Sequence, residues 1–165
     1  MAWLDCSVDE FGPLARELLS QGHCVRLRVA GGSMEPLIQS GDQVEIEPAA
    51  MESVRVGDVV LFSLGGRLFL HRVVARRGVG GEARLQAHGD HNFRPEPEFG
   101  PEELLGVALA LYRGEAMLDL RSPWIRWIGW AVARSQLVRR ALFKLVRHWP
   151  GPFAFWPWRR HLARA

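Results

Sequence analysis

The sequence is poor in cysteine, in lysine and in long apolar runs. Its two cysteines, Cys6 and Cys24, are too few for a disulfide framework and lack the spacing of metal ligands. We therefore expect reduced thiols, no metal site and no cofactor. The single lysine, Lys144, lies in the last quarter of the 165 residues, so lysine-dependent chemistry is not expected in the rest of the chain.

A leader and a membrane span are also missing. No stretch reaches the roughly 18 uncharged apolar residues that a spanning helix needs. The N-terminus carries Asp5, Asp9 and Glu10, and it lacks the basic start and continuous apolar run of a signal peptide. These absences predict that the chain stays in the compartment where it is made, so we expect a cytoplasmic protein.

The charges and tryptophans are distributed unevenly along the chain. Residues 1–119 hold 11 basic and all 18 acidic residues, a net charge of −7, whereas residues 120–165 hold ten basic residues and no acid, a net charge of +10. Six of the seven tryptophans also lie in residues 120–165. The length suits one globular domain. The pattern therefore predicts one folded body with a basic, tryptophan-rich tail.

The apolar spacing predicts a mainly-β body between two helical segments. Residues 9–21 have the pattern of a short helix, and residues 123–147 that of an amphipathic helix with Trp124, Ile128 and Ala131 on its apolar stripe. Gly65-Gly66 predicts a hairpin turn. The predicted organisation is an N-terminal helical segment (1–22), a β domain (23–114) and a C-terminal tail (120–165). The predicted strands are 25–29, 44–47, 59–62, 68–74, 83–87 and 104–112.

Ser33 and His71 are the candidate catalytic pair. Gly31-Gly32-Ser33 lets the chain turn sharply and leaves the hydroxyl accessible, although such a segment is usually an ordinary surface turn. A serine needs a base to become a nucleophile. With Lys144 in the tail, the base must be a histidine, and His71 interrupts the most apolar strand of the chain. A buried structural histidine is the alternative interpretation.

Two acids of the loop at residues 89–102 are candidates for orienting that base. Asp90 follows a glycine in a turn, where it could also bond its own backbone, and Glu96 lies between two prolines, where a plain surface carboxylate is the alternative. A general base needs a third group to hold its ring. The residues alone do not decide between the two acids.

Taken together, the motifs resemble the signal peptidase family, and in particular its archaeal and endoplasmic-reticulum type, in which histidine replaces the bacterial lysine. The resemblance covers about residues 25–110 and implies the mainly-β catalytic fold that signal peptidases share with LexA-like peptidases. It implies Ser33 as nucleophile, His71 as general base and Asp90 and Glu96 as the family's acids. The matching segments are Ser33-Met34-x-Pro36 with Gly41-Asp42, Gly57-Asp58-Val59-Val60, His71-Arg72-Val73 and Gly89-Asp90-x-Asn92.

Three features depart from the family pattern. Glu96 stands where the family has an aspartate, and Gly31 stands where it often has a serine of the oxyanion hole. The hole is then expected to depend on backbone N–H groups such as that of Ser33.

The family's N-terminal transmembrane anchor has no counterpart, and we expect peripheral membrane contact through residues 123–165, on the cytoplasmic face. Packing of this helix on the body is the alternative, and nucleic-acid binding is not expected.

The resemblance implies an endopeptidase that cleaves a leader or pro-peptide. The substrate is expected to have small residues at positions −1 and −3 and to lie extended against an edge strand, for which residues 25–29 are a candidate. A non-catalytic peptide-binding module on the same fold is one alternative. A LexA-like self-cleaving regulator is another, although such proteins use a lysine base and need a DNA-binding module longer than the roughly 25 residues before the first strand.

Overall fold

The computed structural model describes residues 2–3, 12–79, 82–92, 96–135 and 159–160. Within these residues, nine strands form one sheet, with a helix near each end of the chain. The helices are α1 (Gly12–Ser20) and α2 (Pro123–Arg134). The strands are β1 (Ala2–Trp3), β2 (Val25–Arg28), β3 (Gln43–Pro48), β4 (Val59–Leu64), β5 (Arg67–Arg77), β6 (Arg84–His88), β7 (Leu104–Arg113), β8 (Ala116–Asp119) and β9 (Arg159–Arg160).

The sheet has the order β1-β2-β3-β7-β4-β5-β6, and β8 pairs with β7 and with β9. All pairs are antiparallel except β1 with β2. The β4–β5 hairpin turns at Gly65 and Gly66, whose φ values of 56° and 80° are typical of a two-residue turn. The mainly-β fold with a short N-terminal helix and a C-terminal helix is confirmed.

Two apolar cores stabilise the sheet and position the site. One joins both helices to β2, β3 and the loop after β2, through residues such as Leu19, Ile38 and Ile125. The other lies among β4, β5, β6 and β7 and includes the stacked rings of Phe62 and Phe99. Because both helices contribute to the first core, the described parts of the predicted terminal segments pack on the β body.

The sheet continues beyond the last strand that the sequence predicts. Strand β8 follows the turn at Gly114 and extends the sheet past residue 114, where the β domain was expected to end. Its four residues are too short for a clear alternating pattern. The division into three segments stays a prediction, and residues 9–11 and 136–147 of the predicted helices lie outside the described residues. No helix in the described part of the chain has the length and hydropathy to cross a membrane.

The predicted apolar stripe of α2 is wrong in part: Ile128 is half-buried and packs on the first core, but the buried face is centred one residue further along the chain. The helix buries Ile125, Gly129 and Val132 against the body, whereas Trp124 is 72% exposed. A glycine on the buried face lets the helix backbone approach the body closely. That requirement outweighs the burial of large side chains, and it turns Trp124 outward.

Candidate active site

Ser33 lies in a tight loop between β2 and β3 that is anchored by apolar side chains. Gly31, two residues earlier, has a φ of +85°, which favours glycine. Met34 and Ile38 are buried, and the Ile38 N–H donates to the Met34 carbonyl at 3.1 Å. The methionine of the Ser33-Met34 pair therefore fixes the loop to the core, and the half-buried serine lies at the loop surface.

The Gly41-Asp42 motif closes the far end of this loop. Asp42 is buried and accepts hydrogen bonds of 2.7 and 2.6 Å from the Arg113 guanidinium. The Gly41 N–H donates to the Val29 carbonyl at 2.9 Å. Charge-assisted, two-pronged contacts of this kind hold a fixed geometry. The motif therefore sets the shape of the loop that presents Ser33.

His71 comes from β5 and faces Ser33. The histidine is only 4% exposed, and its Nε2 atom lies 3.1 Å from Ser33 Oγ, across 38 residues of sequence. When the ring proton is on Nδ1, Nε2 accepts a hydrogen bond from the serine hydroxyl. This is the contact that a general base makes with its nucleophile.

The surroundings of His71 favour its neutral form. Burial lowers the pKa of His71 from 6.5 to about 4; the neighbouring His88 also lowers it, and Asp90 acts in the opposite direction. A neutral imidazole has a lone pair available for the serine proton. At neutral pH the ring is therefore in the protonation state that a base requires.

Glu96 faces the other ring nitrogen of His71. Its Oε1 atom lies 3.6 Å from His71 Nδ1. This distance is too long for a hydrogen bond, and Nδ1 has no hydrogen-bond partner among the described residues. Catalytic hydrogen bonds in unliganded sites are often long and shorten when substrate binds. Glu96 is therefore placed to hold the Nδ1 proton after a shift of less than 1 Å.

Asp90 makes a different contact. Both of its carboxylate oxygens accept hydrogen bonds from Arg72, at 2.8 Å from Nε and 2.6 Å from Nη2, and both residues are buried. The Asp90 charge contributes to raising the pKa of Arg72, against the effect of burial. Asp90 therefore neutralises the residue next to His71, and its influence on His71 is exerted through the electric field.

The turn that contains Asp90 also supports the nucleophile loop. The His91 N–H donates to the Ser33 carbonyl at 2.8 Å. A Cβ atom on Gly89 would lie 2.4 Å from the same carbonyl oxygen, so only glycine allows the two segments to approach this closely. The Gly-Asp-x-Asn segment thus joins Ser33 to the Arg72–Asp90 pair.

Helix α2 packs on the other side of Arg72. The Arg72 Nη1 group donates to the Gly57 carbonyl at 2.8 Å. A Cβ atom on Gly129 of α2 would lie 2.6 Å from that carbonyl oxygen and 2.7 Å from Arg72 Nη1. Gly57 is equally restricted by the backbone of Trp130. The glycine of the Gly57-Asp58 motif is therefore the point on which the α2 backbone packs.

A cleft of about 290 Å³ is lined by Ser33 and His71. One wall comes from Leu27, Val29 and Ala30, and the other comes from residues 67–71 of β5. Strand β6 pairs with β5 only from Arg72 onward, so among the described residues this part of β5 has a strand partner on one side only. An unpaired strand edge can hydrogen-bond an extended peptide.

The four predicted site residues fall into two groups. Ser33, His71 and Glu96 form a chain of neighbours, whereas Asp90 is joined to them through the 89–91 turn and Arg72. Arg72 is not among the predicted site residues, although a charged residue within the most apolar strand is a signal for it. The catalytic roles of all four predicted residues stay predictions.

Comparisons with known proteins agree with the family resemblance. The family model described as Peptidase S24-like matches residues 4–104. The signal peptidase complex catalytic subunit sec11 of Sclerotinia sclerotiorum is 34% identical over 73 residues, 42% of each chain. SEC11 of Colletotrichum graminicola is 37% identical over 73 residues with the same coverage, and SEC11 of Metarhizium acridum is 37% identical over 114 residues, 61% of this chain and 66% of that protein. The chain thus spans about two fifths of the first two relatives.

These relatives contradict the expected cytoplasmic location. They are named as catalytic subunits of the signal peptidase complex, which does not agree with a cytoplasmic protein or with contact at the cytoplasmic face. The expectation depended on a missing leader and a missing spanning segment. An absence of this kind does not place a chain on one side of a membrane, so the prediction is wrong.

Proposed function

The chain belongs to the S24-like peptidase family, and from this premise we propose that it is a serine endopeptidase of the signal-peptidase type, with Ser33 as nucleophile and His71 as general base. The observation that carries the proposal is the 3.1 Å contact between His71 Nε2 and Ser33 Oγ in a buried site. A low-pKa imidazole beside an accessible serine is a combination that enzymes use for acyl transfer.

The reaction follows the serine acyl-transfer scheme. His71 Nε2 takes the Ser33 proton as Oγ attacks the carbonyl carbon of the scissile peptide bond. The carbonyl oxygen becomes an oxyanion, and the Ser33 backbone N–H is our candidate donor to it. In the described structure this N–H donates to no backbone carbonyl. His71 then protonates the leaving amine, and a water molecule hydrolyses the acyl-enzyme with His71 again as base.

Glu96 is the proposed orienting acid. As His71 takes up the proton, the ring becomes positive, and a carboxylate 3.6 Å from Nδ1 stabilises that charge. Asp90 is less suited to this role, because Arg72 already occupies both of its oxygens. We assign Asp90 a supporting role: it neutralises Arg72 and holds the turn that contacts Ser33.

The proposed substrate is an extended leader or pro-peptide in the cleft between Ala30 and residues 67–71. The single-sided pairing of β5 there supports main-chain recognition. The predicted strand 25–29 is less available, because β1 already pairs with Val25 and Arg26 on its outer side. Small residues at positions −1 and −3 follow from the family resemblance.

The proposal also includes peripheral membrane contact through residues 123–165.

Acylation by a fluorophosphonate probe tests the proposed mechanism. Purified wild-type protein is expected to be labelled at one serine, and Ser33→Ala is expected to abolish labelling. His71→Ala should slow labelling by about 10²–10⁴-fold, the usual contribution of a general base. Ser53→Ala, which removes an exposed serine bonded to the Ala50 carbonyl, is a control that should be labelled like wild type.

Two results would count against this mechanism. Folded wild-type protein that takes up no probe favours the non-catalytic peptide-binding module. Labelling that survives in Ser33→Ala assigns the nucleophile to another residue. The LexA-like alternative makes a different prediction, namely cleavage of the chain itself on incubation, which gel electrophoresis of the wild type and Ser33→Ala would reveal.

A further inference from the structure

Helix α2 turns three tryptophans toward solvent. Trp124, Trp127 and Trp130 are 72%, 60% and 44% exposed, although tryptophan is among the most strongly buried residue types on average. Their spacing of three residues places successive side chains about 60° apart around the helix and about 4.5 Å apart along it. They form one continuous surface, and exposed apolar surfaces of this kind mark sites of interaction.

Arg134 completes this surface, which we call the Trp face (Trp124, Trp127, Trp130 and Arg134). Its guanidinium carbon lies 5.3 Å from the centre of the Trp130 ring, and Trp124 and Trp127 contact each other edge to face with centroids 6.2 Å apart. The other two basic residues of residues 120–135 lie beside acids, Arg121 with Glu47 and Arg126 with Asp58. Arg134 has no carboxylate partner among the described residues.

The charge around the Trp face selects one kind of partner. The helix contains no acidic residue, and residues 120–165 carry ten basic residues and no acid. A second copy of this chain that docked through its own Trp face would bring the same positive charge against it, which is unfavourable. An anionic surface is complementary. Tryptophan rings prefer the headgroup region of a bilayer, and arginine is attracted to anionic lipid there.

The Trp face has a fixed orientation relative to the cleft. The opposite side of α2 is held against Gly57 and Arg72 by the glycine contact at Gly129. Arg72 in turn is paired with Asp90, beside His71. A surface bound to the Trp face is therefore attached, through one packed layer, to the element that supports the active site.

We propose that the Trp face of α2 is a docking surface for an anionic lipid bilayer, which it enters at headgroup depth with Arg134 against the lipid phosphates. This inference identifies the surface and the lipid class for the peripheral membrane contact in the proposed function, on which it rests. It does not depend on catalysis, because no residue of the Trp face lines the cleft.

Vesicle co-sedimentation of the full chain tests the proposal. The vesicles are phosphatidylcholine alone or phosphatidylcholine mixed with phosphatidylglycerol. Wild type is expected to bind the mixed vesicles at least tenfold more tightly than the neutral ones. The triple variant Trp124→Ala, Trp127→Ala, Trp130→Ala should lose at least tenfold in affinity for the mixed vesicles. Arg134→Gln should lose about fivefold there, the effect of one basic residue at an anionic surface, and little on neutral vesicles.

The chain offers a matched control for the triple variant. Trp149→Ala, Trp156→Ala, Trp158→Ala removes the same number of tryptophans from residues 136–165 and is expected to lose less affinity. Equal losses in the two triple variants would overturn the assignment to the Trp face. So would equal binding of wild type to neutral and anionic vesicles, or a wild-type dimer that becomes monomeric in the first triple variant while vesicle binding is unchanged.

Two further measurements keep the outcome interpretable. The substituted tryptophans of the Trp face are exposed, so circular dichroism should show an unchanged fold. Ser33→Ala is expected to bind vesicles like wild type. If Ser33→Ala binds vesicles but wild type is not labelled by the fluorophosphonate probe, the proposed reaction fails and the lipid surface stands. If wild type is labelled but does not bind vesicles, the lipid surface fails and the proposed reaction stands.

Discussion

The neighbours His71 and Arg72 on β5 lie in opposite chemical situations. The Arg72 guanidinium is fully buried and donates three hydrogen bonds, two to Asp90 and one to the Gly57 carbonyl. His71 is equally buried, but its ring makes one hydrogen bond within the described residues, to Ser33, and its Nδ1 atom faces Glu96 at 3.6 Å. We call Arg72 and its contacts with Asp90, Gly57 and Gly129 the support region, in which the buried guanidinium is fully hydrogen-bonded. The His71 side is the reactive site, in which one ring nitrogen still lacks a hydrogen bond within the described residues.

The difference in hydrogen bonding between Arg72 and His71 indicates where stability and reactivity are located. A buried charge without partners is very costly, so the support region has to be fully paired. A base has to take up a proton, so the nitrogen that faces the nucleophile must keep its lone pair available in the resting state. Changes on the Arg72 side should therefore lower the free energy of unfolding, and changes on the His71 side should lower the acylation rate.

The largest effect is expected for Asp90→Asn. Loss of the carboxylate leaves the buried Arg72 charge without its counter-ion, and the free energy of unfolding should fall by about 3–5 kcal/mol. Urea denaturation followed by fluorescence measures this value. The matched change Glu96→Gln removes a partly exposed carboxylate outside the support region, and it should cost less than about 0.5 kcal/mol. Similar values for the two variants would remove the distinction between the two regions.

A second effect comes from pH. Because the pKa of His71 falls from 6.5 in the unfolded chain to about 4 in the folded protein, the unfolded state binds more protons between these values. The His71 contribution to stability is complete above pH 6.5 and is lost as the pH falls toward 4, by about 3 kcal/mol in total. Denaturation curves across this range should show the loss in wild type and a smaller one in His71→Gln. Parallel curves for the two proteins would contradict a buried, neutral His71.

Gly129→Ala should destabilise the support region by about 2 kcal/mol. Alanine normally stabilises a helix interior relative to glycine, but here the new methyl group would clash with the Gly57 carbonyl and with Arg72. Gly12→Ala in α1 is the matched control, because among the described residues its Cβ atom would meet only Leu68, at an ordinary 3.6 Å. Thermal denaturation of both variants is the measurement. A stabilised Gly129→Ala protein would mean that α2 does not pack on Gly57.

The smallest effect is expected for Glu96→Gln on acylation. Loss of the negative charge beside Nδ1 should slow fluorophosphonate labelling by about tenfold, because the developing imidazolium is less stabilised. The stability of this variant is expected to be unchanged, so the rate reports on chemistry. An unchanged rate would exclude Glu96 as the orienting acid.

Much of the fold could be predicted because its signals are local. Glycines mark the ends of most strands, and the Gly65-Gly66 hairpin follows directly from the turn residues. Ser33 and His71 could be named as candidates from residue types and strand pattern, and the family resemblance then selected them. It could not be predicted which acid contacts Arg72 and which faces His71. Asp90 and Glu96 lie in one loop, and their partners depend on how that loop crosses β5.

The orientation of α2 has the same kind of cause. Its sequence allows more than one apolar stripe, and the choice depends on a contact between Gly129 and Gly57, which are 72 residues apart. Neither glycine carries a side chain that would reveal the contact in the sequence. The exposed Trp face follows from that choice, so it too could be recognised only in the folded structure.

The pH dependence of Ser33 acylation tests the central claim most directly, namely that a neutral, buried His71 activates this serine. The second-order rate of fluorophosphonate labelling, measured from about pH 5 to pH 9, reports the pKa of the base in the free enzyme. The account predicts a rate that is nearly constant above about pH 6 and falls only toward the pKa of about 4. A rate that rises about tenfold per pH unit through pH 7 to 9 would show a different base and contradict the account.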